Sequence, residues 1–324
     1  MTITLDTICK ISDSFEVNAV AFSPDGKRIA TGGCSSAEVS VWDIEQNKRI
    51  TSCKLEYSNM PTDSVCWSAS NLLASMQNGG TGIRVWDGDS FELIITINLR
   101  DDYGAAKSIA FDPSGKYLMA ACAVPMGERA HDLVIFDTQT WMKTEFKTGM
   151  KLNNAAWVDG KVVAVGRRRK GCSEMIVIEP ISGAMQVFPV ESAIGKEVVV
   201  GSVYRLISLQ GGAGLVINSA NSGVSVLHMV DLIQGTVVNE TVLGEYACEG
   251  LVRILGNSLV VALFDGSVTQ PLHLIDGNAQ LIQKVNYHAD YVCGGLAASV
   301  DGRTLAISSG NQVTVFGVSV VEEA

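Results

Sequence analysis

The chain has 324 residues, 47% of them apolar and 18% charged, with 32 glycines. That balance supports a buried core cut by many short turns and excludes a disordered chain. With 24 Lys and Arg against 34 Asp and Glu the net charge is −10, which argues against nucleic acid as the main ligand, because binding phosphates needs a basic footprint.

The N-terminal stretch Met1–Asp6 lacks the basic and apolar regions of a signal peptide. No run reaches the ~18 apolar residues of a membrane-spanning helix. The eight cysteines (Cys9, Cys34, Cys53, Cys66, Cys122, Cys172, Cys248 and Cys293) form no CxxC or other metal-ligand spacing. They read as small core residues in a reduced, cytoplasmic setting.

Ile3–Ile11 is β-rich and precedes the first full unit. The run Ala21-Phe-Ser-Pro-Asp-Gly-Lys-Arg-Ile-Ala-Thr-Gly-Gly33 then sets two apolar stretches around a turn. Proline presets φ there and glycine accepts positive φ. Val39-Ser-Val-Trp42-Asp43 follows. The same order of events recurs. Turns lie in Ala110–Ala120, Ala156–Val162 and Ala298–Leu305. Strand endings on an acid lie at Ile83–Asp87, Leu133–Asp137, Met175–Glu179, Leu227–Asp231 and His273–Asp276. The last ending, Val313–Gly317, has lost the acid. From Asp43 to Gly317 the successive spacings are 44, 50, 42, 52, 45 and 41 residues. A four-stranded propeller blade takes about 40–45.

On these motifs, two of which end in Trp-Asp, the chain resembles the WD40-repeat family over essentially its whole length. The resemblance implies an all-β, seven-bladed β-propeller with four antiparallel strands per blade. As a single domain over 1–324 it divides into blade 1 at 16–57, blade 2 at 62–99, blade 3 at 105–147, blade 4 at 152–190, blade 5 at 203–244, blade 6 at 249–286 and blade 7 at 291–320. Strand d of blade 7 would be 3–11, so that the N-terminal strand closes the ring. Pro271 conflicts with a central strand, so strand c of blade 6 is expected to start after it.

Family blades share a buried hydrogen-bond set: a histidine before strand a, a Ser or Thr in strand b, the strand-c Trp, and an Asp in the b–c turn. Thr31 with Trp42 and Ser75 with Trp86 are expected as partial sets. Only blade 7 offers the histidine, His288, with Ser308 as partner.

The d–a and b–c loops share one face of such a propeller. Two b–c loops stand out there: Arg167-Arg168-Arg169-Lys170, and the longer Ala123–His131 with Arg129 and His131. Clustered guanidinium groups suit an acidic peptide or a phosphate, against the plain alternative of a solvated loop. Tyr103, Tyr246, Tyr287 and Tyr291 precede strands on that face and are the residue type of interface anchors. His228 and His273 occupy equivalent positions, and inter-blade polar packing is a better reading for them than a metal. Gly211-Gly-Ala-Gly214 sits between strands, so a long a–b hairpin is expected rather than a phosphate loop.

The resemblance therefore implies a non-catalytic interaction scaffold for a protein or peptide, acidic or phosphorylated, with no cofactor, metal or membrane. The alternative is a propeller enzyme, lactonase- or glycosidase-like, with Asp101, Asp102, His131 and Asp290 converging at the channel mouth.

Overall fold

The computed structural model describes all residues except 1, 35, 37, 56–59, 78–81, 100–104, 124–131, 168–172, 190–203, 210–211, 219–224, 245–246, 256–257, 265–268, 277, 279, 289–294 and 322–324. Every described element is a β-strand. After β1 (Thr2–Ser12), the first sheet holds β2 (Val17–Phe22), β3 (Arg28–Gly33), β4 (Glu38–Asp43) and β5 (Lys48–Lys54). The second holds β6 (Thr62–Trp67), β7 (Leu72–Gln77), β8 (Gly82–Asp87) and β9 (Leu93–Asn98). The third holds β10 (Ala105–Phe111), β11 (Tyr117–Ala123), β12 (Leu133–Asp137) and β13 (Lys143–Phe146). The fourth holds β14 (Lys151–Val158), β15 (Lys161–Arg167), β16 (Ser173–Ile178) and β17 (Met185–Pro189). The fifth holds β18 (Tyr204–Leu209), β19 (Gly212–Asn218), β20 (Ser225–Asp231) and β21 (Thr236–Gly244). The sixth holds β22 (Ala247–Arg253), β23 (Leu259–Phe264), β24 (Thr269–Ile275) and β25 (Leu281–His288). The seventh runs β26 (Leu296–Ala298), β27 (Thr304–Ser309), β28 (Gln312–Val321) and then β1. All the pairings are antiparallel.

Two kinds of turn join first and second strands. In Ser23-Pro-Asp-Gly26 the Gly26 N–H donates to the Ser23 carbonyl at 2.9 Å, and Gly26 has φ +69. Asp112–Gly115 and Ser299–Gly302 repeat that bond. Asp159-Gly160 is tighter: both residues have positive φ and Val158 pairs directly with Lys161. That is the two-residue geometry an Asp-Gly turn favours.

Buried side chains gather between neighbouring sheets rather than within one. Ala74 and Met76 pack with Leu118 and Ala120, and Leu133 and Ile135 with Val162 and Ala164. Val163 and Val165 meet Val230, while Leu272 and Leu274 meet Leu305 and Ile307. Ala30 and Val41 meet Leu73 and Trp86. The seventh sheet packs on the first, with Val313 and Val315 against Val20 and Ile29. Each fully buried Leu or Ile contributes about 2 kcal/mol. The first strands of successive sheets also touch in turn, and β26 touches β2.

One expectation needs correction. The strand carrying Pro271 begins before it, at Thr269, not after it. Pro271 is tolerated because pairing toward β23 begins only at Leu272, while Pro271 itself faces Asn286 of β25. The missing N–H therefore falls outside the β23 ladder. The glycine run does lie in a hairpin between first and second strands: Leu209 pairs with Gly212, and Gly212 and Gly214 lie inside β19.

β1 pairs with β28 from Thr2↔Val321 to Ser12↔Gln312. Deleting residues 1–11 bares β28 as a ten-residue edge. The expected outcome is a lower Tm and concentration-dependent aggregation by light scattering. A soluble truncation with unchanged Tm contradicts it.

Candidate functional site

The aspartate at the end of five of the third strands caps the turn that follows, while Glu179 in the fourth sheet pairs with Lys161 instead. Oδ1 of Asp87 accepts the N–H groups of Asp89 and Ser90 at 3.0 and 2.8 Å. Asp137 accepts those of Gln139 and Thr140, Asp231 those of Ile233 and Gln234, and Asp276 those of Asn278 and Gln280. Asp43 accepts from Gln46. Backbone donors hold the carboxyls of Asp87 and Asp137 below the usual range. Gly317 lacks the acid where no turn follows, since β28 runs straight on to Val321.

These turns lie on the same end of the sheets as the first-to-second-strand turns. The Arg28 guanidinium, at the start of β3, donates to the Gly88 carbonyl at 2.6 Å and pairs with Asp89 at 3.2 Å. It also covers Trp67 at 5.2 Å from the ring centre. At the next seam but one, Trp157 stacks on Tyr117 at 6.2 Å and donates to the Ala110 carbonyl at 3.1 Å. This end of the molecule is occupied by contacts between sheets.

The opposite end carries the connections between sheets and the loops after second strands, and two buried carboxylates organise it. Asp13 follows β1. Its Oδ2 accepts the Thr31 hydroxyl at 2.6 Å and its Oδ1 the Ser40 hydroxyl at 3.3 Å. Trp42 Nε1 donates to Thr31 Oγ1 at 3.2 Å, as expected for that pair. The Asp13 backbone joins Asn311 both ways, N–H to carbonyl at 2.8 Å and carbonyl from Nδ2 at 3.1 Å. Asp13 thus stands where the family set has its histidine and links the seventh sheet to the first. Asp132 accepts the N–H groups of Thr148, Gly149 and Met150 at 2.8, 2.9 and 3.3 Å. It fixes the end of the loop after β11 against the connection to β14.

The second expected pair is not made. Ser75 is buried, and its hydroxyl finds no partner among the described residues. Its register is that of the first sheet, with Arg84 where Thr31 has Ser40 and Leu73 opposite Trp86 as Ile29 is opposite Trp42. In the seventh sheet the Ser308 hydroxyl accepts the Gly295 N–H at 3.1 Å. The His288 side chain lies outside the described residues.

Of the basic run, Arg167 is described. It ends β15, half-buried, between Lys151 of β14 and Ser173 of β16. Sequence reasoning missed Lys151, which is exposed and directly opposite Arg167. Neither joins an ion pair among the described residues. Like charges placed opposite one another destabilise a sheet. Tyr287 lies in β25 opposite Gln270. Arg129, His131, Arg168, Arg169, Lys170, Tyr103, Tyr246 and Tyr291 lie outside the described residues, as do Asp101, Asp102 and Asp290 of the enzyme reading.

No hydrogen bond joins His228 to His273 among the described residues. His228 Nδ1 faces Glu240 Oε2 at 3.7 Å across its own sheet, and His273 is buried opposite Val261 and Lys284. Burial and then the Lys284 charge push the His273 imidazole down to about 4. Burial pushes the Cys53 and Cys122 thiols up to about 12, which leaves them protonated and unreactive core groups. No group of three His, Cys, Asp or Glu among the described residues is placed to hold a metal ion.

Residues 7–43, which span β1 to β4, match the family model for the WD domain, G-beta repeat. The chain carries a WD40 repeat. It is also similar to Protein HIR1 of Kluyveromyces lactis, 24% identical over 125 residues. That match covers 32% of this chain and 14% of the relative. The matched repeat contains Asp13, Thr31, Ser40 and Trp42, so the best-formed polar network of this WD40 repeat falls in the segment the family model matches.

Two outcomes follow for stability. Asp13→Ala strands two buried hydroxyl donors and is expected to cost on the order of 3 kcal/mol in chemical denaturation, whereas a loss under ~1 kcal/mol contradicts the network. For His273 the folded state stays neutral down to about 4, while the unfolded chain takes up a proton below 6.5. Stability should therefore fall as pH drops from 6.5 toward 4. His273→Leu should flatten that part of the profile, and an unchanged slope contradicts it.

Proposed function

We propose that the chain is one closed seven-bladed propeller that works as a non-catalytic protein-interaction scaffold in the cytoplasm. Its partner is an acidic or phosphorylated protein or peptide, bound on the face that carries the sheet-to-sheet connections. Closure is supported by the packing of the seventh sheet on the first and by the β1–β28 pairing. The matched WD repeat supports a scaffold, by fold-level analogy. Among the described residues no helix is long and apolar enough to cross a membrane.

The observation that carries the site is the cross-strand pair Lys151 and Arg167 on that face, with Arg168, Arg169 and Lys170 next in sequence. Two cations side by side, without a carboxylate between them, gain most from an anion supplied by a partner. Asp132 holds the backbone of Thr148–Met150, directly before Lys151, which gives that corner a fixed base.

The test is affinity purification from the native host with quantitative mass spectrometry, comparing the wild type with Lys151→Glu/Arg167→Glu. Proteins captured by the wild type should drop about tenfold in the variant, a coupling of ~1.4 kcal/mol. Capture unchanged by the reversal contradicts the site. Capture that survives it but falls with residues elsewhere on the face moves the site without removing the scaffold.

A further inference from the structure

The seam between the seventh sheet and the first shows how this chain settles buried hydroxyls. Thr31 of β3 and Ser40 of β4 stand opposite one another, and both donate to the Asp13 carboxylate, at 2.6 and 3.3 Å. The second sheet repeats that position one seam on. Ser75 of β7 stands opposite Arg84 of β8, with Leu73 and Trp86 the next pair along as Ile29 and Trp42 are in the first sheet. These side chains face the first sheet: Leu73 and Trp86 pack against Ala30 and Val41, and Arg84 Nη1 donates to the Lys54 carbonyl of β5 at 2.8 Å. Thr62 of β6 joins them. It stands opposite Gln77, two residues along β7 from Ser75, and a Cβ on Gly32 of β3 would come within 2.5 Å of its Cγ2.

The two seams differ in how these groups are partnered. Thr62 and Ser75 are 0% and 1% exposed. Their hydroxyl oxygens and Arg84 Nε are buried without a hydrogen-bond partner among the described residues. Arg84 joins no ion pair among them either. Buried polar groups are almost always partnered, because a bare one forfeits its hydration for nothing. A water would serve the two hydroxyls and leave the guanidinium charge uncompensated. A carboxylate serves both needs: its oxygens accept from the hydroxyls and from Nε–H, and its charge offsets that of Arg84.

We infer that the seam between the first and second sheets is a binding site for one carboxylate, held by Ser75, Thr62 and Arg84 as Asp13 is held by Thr31 and Ser40 one seam away. The carboxylate is either a free ion or an acidic side chain of a bound protein. It enters from the end that carries the sheet-to-sheet connections, since Ser75 lies two residues before β7 ends there and Thr62 begins β6 there. Glu56, six positions before Thr62 in sequence, is the rival occupant from within the chain. The site is built from the first two sheets and does not depend on the Lys151–Arg167 corner of the fourth.

The experiment uses the full chain with sodium formate as the probe, read by thermal unfolding at an ionic strength held constant with sodium chloride. Formate should raise the Tm saturably, by about 5 °C at a hundredfold excess over its Kd. Ser75→Ala, Thr62→Val and Arg84→Gln should each weaken its Kd about tenfold. Without formate, Ser75→Ala and Thr62→Val should fold with an unchanged or raised Tm, because they remove a hydroxyl that has no partner. Acetyl-Gly-Asp-Gly-amide, set against its Asn counterpart, separates the two sources. Competition by the Asp peptide assigns the site to a side chain and its absence to a free ion, and either result supports the site. The inference is overturned if formate has no saturable effect, which is the outcome for hydroxyls served by water alone. It is overturned as well if the three variants keep the full response, since the ion then binds elsewhere. A Tm lowered by Glu56→Gln and restored by formate makes Glu56 the occupant, which also overturns it.

Discussion

A four-stranded sheet has two faces to cover, and this chain covers them only by stacking its sheets on one another. The apolar clusters are drawn from neighbouring sheets in pairs, and that pairing includes the seventh with the first. An unstacked terminal sheet would leave residues such as Val313 and Val315 or Val20 and Ile29 in water. The rest follows from this constraint. The last sheet needs a fourth strand, and β1 supplies it from the other end of the chain. Asp13 then ties the joint at the point where β1 turns into the first sheet.

The constraint also divides labour between the two ends of the stack. One end is filled with aspartate-capped turns, the Arg28–Trp67 contact and the Trp157–Tyr117 stack. Such an end already has its side chains partnered across the seams. The other end is held by two buried carboxylates, Asp13 and Asp132, and leaves Lys151 and Arg167 side by side. Geometry that exists to bury apolar faces thus gives the two ends of the stack different character.

Much of the fold was legible because the repeat is written in turn chemistry. Ser23-Pro-Asp-Gly26 and the acids at Asp43, Asp87, Asp137, Asp231 and Asp276 are local signals, and the structure gives each a hydrogen-bonding duty. The loss of the acid at Gly317 made sense only once β28 was seen to run on without a turn. Pro271 misled because a proline forbids only one of the two ladders a strand can join, and sequence does not say which. The site was less legible. Asp13 gave no signal, since a lone Asp after a strand reads as a turn residue and the family set calls for histidine. Lys151 becomes part of the basic corner through register alone, sixteen positions from Arg167 in sequence.

The central claim is that the first strand completes the last sheet of one closed molecule. Thr4 and Ser319 are direct partners across that joint, with their hydroxyl oxygens 2.6 Å apart. The double variant Thr4→Cys/Ser319→Cys, oxidised and mapped by peptide mass spectrometry, tests it directly. The account predicts a bond within one chain and a raised Tm, because the crosslink closes nearly the whole chain into a loop. A bond that forms only between chains, or a Tm left unchanged by a bond within one, would contradict it.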